Sequence, residues 1–167
     1  MESITHTARR SPWYLRGFVV LLLATVLTIL SLMWWWDTEP AYFDPVKATQ
    51  ARATARQQPV VVGSATTTAL IESTEVMLDK RGGYLSNDML SPGVLMDNIL
   101  NWEFGVVTAS RDLTRALRNE FSRSQTQSTE DVDLQEAEPL FSSPNDRWLL
   151  PSSESQYRKG VAHIESY

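Results

Sequence analysis

The chain has 167 residues, a formal net charge of −5 and no cysteine, which fits one domain with a modest core and some appendages. After residue 36 there are 12 Lys and Arg against 19 Asp and Glu, a net charge of −7, so this part repels nucleic acid and anionic headgroups. The composition therefore disfavours nucleic-acid binding. The absence of cysteine permits an oxidising compartment without demonstrating one.

The most informative segment runs from Gly17 to Trp36, GFVVLLLATVLTILSLMWWW, and contains no charged residue. A helix of about 20 residues rises about 30 Å, which is the thickness of the hydrocarbon core of a bilayer. A signal peptide would have a shorter apolar core and a small-x-small cleavage site, whereas this segment ends in tryptophans and is followed by an aspartate. We therefore predict a retained transmembrane helix over residues 17–36, after a cytoplasmic leader over residues 1–16.

Aromatic residues flank both ends of the predicted span, where their amphipathic rings suit the headgroup layer. The leader carries three arginines, which favours a cytoplasmic N-terminus and places everything after the span in the periplasm of a Gram-negative cell. This charge bias is modest, because Lys47 and Arg52 lie on the far side. The candidate membrane anchors are Trp13, Tyr14, Trp34, Trp35 and Trp36.

Two segments follow the span. Residues 37–63 have two prolines near their start and an Ala- and Arg-rich middle with a thin apolar face. We therefore predict a juxtamembrane stalk, with or without a short helix. Residues 64–81 are predicted to form a helix, because their apolar residues recur at helical spacing. This stripe consists of Leu70, Ile71, Thr74, Met77 and Leu78.

A glycine- and proline-rich corner joins this helix to a second one. Gly82–Gly83 can stop the first helix, and Asp97 or Asn98 can cap the second, which is predicted over residues 98–121. Gly105 inside it costs about 1 kcal/mol relative to alanine, so either another backbone packs closely there or the helix bends. Its predicted buried stripe is Ile99, Trp102, Val106, Ala109, Leu113 and Ala116, with Leu117 and Phe121 beside it.

The remaining chain is predicted to contain a polar loop, a short helix around Leu134 to Leu140, and a last helix that begins near residue 153. The stripe of that last helix is Tyr157, Val161 and Ile164. Nothing is left for this stripe to pack against, so the chain resembles the front part of something longer. These elements predict a mainly α protein, with one N-terminal transmembrane helix and a small α-helical extracytoplasmic domain with long loops over residues 64–167.

Four strings in the chain, KRGGYLSNDMLSPG, DNILNWEFG, RDLTRALRNEFSRSQTQSTED and LLPSSESQYRKG, resemble one family closely. This is the domain of unknown function 2333 (DUF2333) family, whose members are uncharacterised proteobacterial single-pass inner-membrane proteins. Its members are longer than this chain. Leu100 stands where the resemblance leads us to expect a proline, a departure that favours a longer second helix. The resemblance implies location and architecture, and it carries over no catalytic residue.

Glu103 is the chemically interesting residue of the corner, because it lies between Trp102 and Phe104. If those rings shield it from water, its protonated form is favoured, as in a general acid for glycoside cleavage with Asp88 or Asp97 as the second carboxylate. Neighbouring helical residues point in different directions, however, so the simpler interpretation is a solvated carboxylate or one in the first helical turn. We therefore assign no catalytic residue and keep Glu103 as a candidate.

A basic stripe on the second helix precedes an acidic segment, residues 130–138. We hypothesise that the polar loop folds the acidic segment back onto the stripe, because guanidinium groups suit carboxylates. The alternative is two independently solvated faces. The interaction candidates are Arg111, Arg115, Arg118, Arg123, Glu130 and Asp131.

Other site motifs are not found in the sequence. It has no glycine-rich phosphate loop and no serine in a G-x-S-x-G setting. His6 and His163 are its two histidines, and they lie on opposite sides of the membrane in the predicted topology. No zinc site with two or more His or Cys ligands is therefore expected, and no cofactor is predicted.

The sequence favours an interaction or scaffold protein of the cell envelope over an enzyme. The protein would hold a partner through the helix at 98–121 and the loops at 82–97 and 122–133. One alternative is a peptidoglycan-acting enzyme with Glu103 as the acid. Another is a membrane-anchored ligand-sensing regulator, which would have to signal through a second membrane protein because its leader is too short for an output domain.

Overall fold

The structure is a computed structural model that describes residues 12–121 and 130–167. Most of these residues are helical, and the described part of the chain contains no strand. The prediction of a mainly α protein with a long apolar N-terminal helix is thereby confirmed. The helices are α1 (Pro12–Trp36), α2 (Pro45–Arg56), α3 (Ser64–Asp79), α4 (Asn98–Ala116), α5 (Val132–Phe141) and α6 (Ser153–Ser166).

The first helix, α1, is long and apolar enough to cross a membrane, and an 18-residue stretch within it has a mean hydropathy of 2.4. Its hydroxyl groups bond to its own carbonyls. Thr25 Oγ1 donates to the carbonyl of Leu21 at 3.0 Å, and Thr28 and Ser31 make the same bond to the residue four positions back. These polar side chains therefore leave no unsatisfied donor that would oppose burial in lipid.

Helices α2 to α6 form an up-and-down bundle, and contacts identify its two ends. At one end Trp36 packs on Gly82, where an added Cβ would lie 2.8 Å from the indole ring. The hydroxyl of Tyr84 donates to the carbonyl of Asn145 at 2.9 Å, so the α3–α4 and α5–α6 corners meet at this same end. We call it the proximal end, because it lies beside the end of α1.

The opposite end, which we call distal, holds the α4–α5 connection and the end of α6. Arg118 Nη2 lies 2.7 Å from Glu130 Oε2 there, and Arg56 Nη1 donates to the carbonyl of Glu165 at 2.9 Å. Since α4 has 19 residues, the two ends are separated by about 28 Å.

The core lies between α3, α4, α5 and α6, and the last helix is part of it. Tyr157 and Ile164 from α6 are fully buried and pack in one cluster with Phe141 from α5. The expectation that this stripe has nothing to pack against is therefore wrong, because α5 and α3 cover it. The close packing depends on Gly160, where an added Cβ would lie 2.9 Å from the Phe141 ring.

The segment 37–63 differs from the predicted stalk, because α2 lies against α3. Its apolar face is thin, as expected, and charge holds it in place. Arg52 Nε donates to Glu72 Oε1 and its Nη1 to Glu165 Oε1, both at 2.7 Å, and its Nη2 binds Glu75. One guanidinium therefore joins α2 to both α3 and α6.

The two helices predicted at 64–81 and 98–121 are present with earlier ends. After α3 ends at Asp79, Gly82 and Gly83 take φ values of +84° and +72°, the left-handed region that favours glycine. After α4 ends, the chain continues as a π-helical turn over Leu117–Phe121.

Replacing Gly160 by alanine is expected to destabilise the bundle, because the added Cβ would press on the Phe141 ring. Overpacking of this kind costs about 1–3 kcal/mol, whereas the gain in helix propensity is about 1 kcal/mol. The matched control is Gly105→Ala in α4, where no atom lies within 4 Å of the added Cβ. This control should gain about 0.5–1 kcal/mol. Thermal unfolding of the full chain in detergent measures both variants, and equal stability of the two would contradict the packing described.

Candidate functional site

Glu103 fastens the corner between α3 and α4. Its side chain is fully buried, and one carboxylate oxygen accepts a hydrogen bond from the amide of Leu85 at 2.9 Å. The other oxygen accepts from the amide of Ser86 at 2.8 Å and from its hydroxyl at 2.5 Å. Lys80 places Nζ 2.5 Å from Glu103 Oε1 and also donates to the carbonyl of Gly83. The carboxylate therefore bridges α4 to the residues that follow α3.

This geometry corrects the expectation that Glu103 is solvated. The main chain of the corner covers it, while the neighbouring ring of Phe104 is 57% exposed and gives little shelter. A general acid must reach its substrate, and a glycan cannot reach a carboxyl group with no exposed surface. The burial and the donors around Glu103 therefore suit a structural role.

The two carboxylates considered as its partners have different surroundings. Asp97 Oδ1 accepts from Asn101 Nδ2 at 2.8 Å at the start of α4. Partial burial and then the charge of Glu103 raise the pKa of Asp88, against the opposing charge of Lys80. Among residues 12–121 and 130–167, no group of three or more His, Cys, Asp or Glu side chains is arranged to hold a metal ion.

Two arginines of the basic stripe contact the acidic segment, Arg115 from α4 and Arg118 from the π-helical turn that follows it. Arg115 Nε donates to Glu138 Oε1 at 2.9 Å, and Arg118 Nη1 donates to Glu138 Oε2 at 2.5 Å. Arg118 also binds Glu130. The hydrogen bond from Arg115 comes first among the causes that hold the pKa of Glu138 below its usual value, and partial burial works against it. These contacts hold α5 on α4.

The other interaction candidates have different positions. Arg111 lies 3.1 Å from the carboxylate of its neighbour Asp112. Asp131 caps α5 by accepting from the amide of Leu134 at 3.1 Å. Arg123 lies outside the described residues. Of the basic candidates in the described chain, Arg115 and Arg118 are therefore the two that touch the acidic segment.

The apolar stripe of α4 is turned partly outward, contrary to the predicted burial. Trp102, Val106 and Leu113 are only half-buried, and Ala109 is exposed. Polar contacts set this rotation, because Glu103 points into the corner, and Ser110 Oγ lies 3.0 Å from Thr74 Oγ1 of α3. The fully buried residues of α4 are Ile99, Glu103, Val107, Ser110 and Thr114.

The outward stripe lines a groove between α3 and α4 with a volume of about 410 Å³. A second cavity of about 200 Å³ adjoins it and is closed on one side by residues 39–43, which follow α1. The groove therefore runs along α4 to the point where the chain leaves α1. Its lining includes Ala69, Leu70, Ser73, Trp102, Gly105, Val106, Ala109 and Leu113.

The aromatic anchor candidates lie at both ends of α1. Trp13, Tyr14, Trp34 and Trp35 are exposed and free to meet a headgroup layer. Trp36 differs, because it packs on Gly82 of the corner. The last residue of α1 therefore also supports the bundle.

These features define a helical bundle joined to a membrane-capable N-terminal helix and carrying an open apolar groove. The chain belongs to an uncharacterised protein family conserved in bacteria, DUF2333, whose profile matches residues 7–167. The resemblance seen in the sequence is thereby confirmed. No curated protein and no solved structure matches the chain.

Glu103→Gln is expected to lower the free energy of unfolding by about 3–5 kcal/mol, because it leaves the Lys80 ammonium buried without its counter-charge. The double variant Lys80→Met with Glu103→Gln removes the stranded charge and should recover a large part of that loss. Chemical unfolding of the full chain in detergent gives both values. A Glu103→Gln variant as stable as the parent chain would contradict the bridge.

Arg115→Glu is expected to loosen the acidic segment, because it puts a like charge beside Glu138. Surface pairs contribute only about 0.2–1 kcal/mol, so the effect should be local and appear as faster protease cleavage between residues 118 and 138. Arg111→Glu is the control, since Arg111 pairs within α4. Equal cleavage rates in the two variants would count against docking.

Proposed function

We propose that this chain is a single-pass protein of the bacterial inner membrane that binds an envelope protein in the groove between α3 and α4. Its N-terminus lies in the cytoplasm and its bundle in the periplasm. The length and hydropathy of α1 support the anchor, and the arginines of the leader support the orientation.

The observation that carries the proposal is the open space beside Gly105. A glycine inside a helix costs about 1 kcal/mol relative to alanine, and no atom lies within 4 Å of a Cβ added there. No other backbone in the described chain therefore packs on Gly105. A backbone that comes from a partner would use the space that the missing side chain leaves.

The occupant that suits this groove is an apolar helix. Gly105 and Ala109 from α4 and Ala69 and Ser73 from α3 keep the wall of the groove low, which lets two helix backbones approach closely. The stripe from Trp102 to Leu113 rises about 17 Å, enough for three turns of a partner helix.

The position of the groove further restricts the kind of partner that can reach it. Residues 39–43 form one wall of its proximal part, and they directly follow the anchor helix. A helix that emerges from the same membrane can reach this place without a long linker. We therefore infer that the partner contributes the juxtamembrane helix of another envelope protein.

One of the two alternatives fits less well, and the other is separated by experiment. A peptidoglycan enzyme that uses Glu103 would need that carboxyl to open to solvent, and it is buried under the corner. A ligand-sensing regulator would bind a small apolar molecule in the groove, and the experiment below separates this possibility from a protein partner.

The test places a photo-crosslinking amino acid at Ala109, which is exposed beside the groove, in the full chain in living cells. We expect a crosslink to one membrane protein, at an apolar helical segment that peptide mapping identifies. Gly105→Leu should abolish this crosslink by filling the space, whereas Gly105→Ala should retain it.

The matched control carries the crosslinker at Phe104, which is exposed and lies about 140° around α4 from Ala109. A partner captured equally from Ala109 and Phe104, or captured undiminished in Gly105→Leu, contradicts the groove as the binding site. No protein crosslink from Ala109 also overturns the proposal and favours a small ligand.

A further inference from the structure

Large apolar side chains are exposed at the proximal end in two corners of the bundle. They are between 56% and 90% exposed, and the stretches that carry them, 89–95 and 148–151, contain no charged residue. Exposed apolar patches of this kind mark contacts with protein or membrane. These residues are Met89, Leu90, Val94, Leu95, Trp148, Leu149 and Leu150.

The two corners lie side by side, so their apolar residues belong to one surface. The hydroxyl of Tyr84 donates to the carbonyl of Asn145 at 2.9 Å, and Asn87 Nδ2 donates to the carbonyl of Arg147 at 3.3 Å. These bonds tie the chain before Met89 to the chain before Trp148. We call the combined surface the proximal patch.

The contacts with α1 set the depth of this patch. Along α1 the partly covered side chains recur at i, i+3, i+4 and i+7, which is one face of the helix. Met33 and Trp36 on this face pack against Leu85 and Met96, the two residues that bracket the first corner. Since Met33 lies one turn before Trp36, the corner descends about 5 Å below the end of the anchor helix. The partly covered residues are Ile29, Leu32, Met33 and Trp36.

We infer that the proximal patch inserts into the headgroup layer of the bilayer and gives the bundle a second membrane contact. The inference rests on the proposed membrane anchoring of α1, because the patch continues the aromatic layer at the end of that helix. The net negative charge of the bundle does not oppose it, since the patch itself is uncharged and the contact is hydrophobic.

The backbone of the first corner is suited to this depth. The amide of Leu95 donates to the carbonyl of Pro92 at 2.9 Å, and that of Met96 to the carbonyl of Gly93 at 3.0 Å. Irregular backbone is excluded from the hydrocarbon core but is accepted at the interface, and these turns reduce its need for water. The second contact would fix the tilt of the bundle and direct the proximal end of the groove toward the membrane surface.

The absence of cysteine permits a direct test. Leu90→Cys and Leu149→Cys each receive an environment-sensitive fluorescent label, and the full chain is reconstituted into phosphatidylcholine vesicles. The control is Val62→Cys, which is also an exposed apolar position but lies between α2 and α3 at the distal end. We expect quenchers attached to the lipid chains to reduce emission several-fold more at residues 90 and 149 than at residue 62.

Other outcomes overturn the inference in distinguishable ways. Equal quenching at all three positions, in protein that floats with the vesicles, leaves the anchor intact and removes the second contact. A label at residue 90 that is shielded from water but not reached by lipid quenchers assigns the patch to another protein surface. Protein that does not float with the vesicles refutes the anchor itself, and with it the proposed function.

Discussion

Lys80 and Glu103 are buried together at the proximal end, and either charge would be costly there without the other. Their ion pair, and the hydrogen bonds that Glu103 accepts from the amides of Leu85 and Ser86, fix the α3–α4 corner on α4. Trp102 and Val106 lie about 100° and about 60° around α4 from Glu103, on the same side of it, so pointing Glu103 inward turns both toward the edge of the bundle. The groove is a consequence of this rotation.

The same constraint reaches α1. The corner held by Glu103 carries Gly82, Leu85 and Met96, which support Trp36 and Met33 of α1. At the distal end the bundle depends on charges in a different way, because Arg52 and Arg118 join helices through partly exposed carboxylates. Removing one partner of such a pair costs less than removing Lys80 or Glu103 alone, because the charge left behind stays in contact with water.

The helices themselves could be predicted from the sequence, because apolar residues at helical spacing and cap residues are local signals. The helices α3 and α4 lie close to their predicted places, and the apolar character of α1 determines its length. The rotation of α4 could not be predicted in this way. The partners that set its rotation are Lys80 and the main-chain amides of residues 85 and 86. Because almost every residue has a main-chain amide, residue identity does not indicate which amides bind Glu103.

The packing of α2 and α6 was missed for a related reason. Arg52 reaches Glu165 across more than a hundred residues, and a thin apolar face gives no sign of that contact. The sequence predicted the short helix α5 but not which of its residues are buried. The contact between α5 and Tyr157 of α6 was therefore not predicted. Gly105 is a feature of the fold that could be recognised from the sequence, because glycine destabilises the interior of a helix. The structure shows open space beside it.

The bundle, its corner and α1 therefore act as one body in this account, and their junction can be measured directly. The cysteine-free chain permits the pair Trp36→Cys and Gly82→Cys, at two positions in contact, although the φ of +84° at residue 82 adds some strain. Mild oxidation of the full chain in native membranes should form a disulfide within one chain. The pair Trp36→Cys and Val62→Cys, which joins opposite ends of the bundle, should not form one. Failure of the first pair to bridge, or equal bridging by both pairs, would contradict the account.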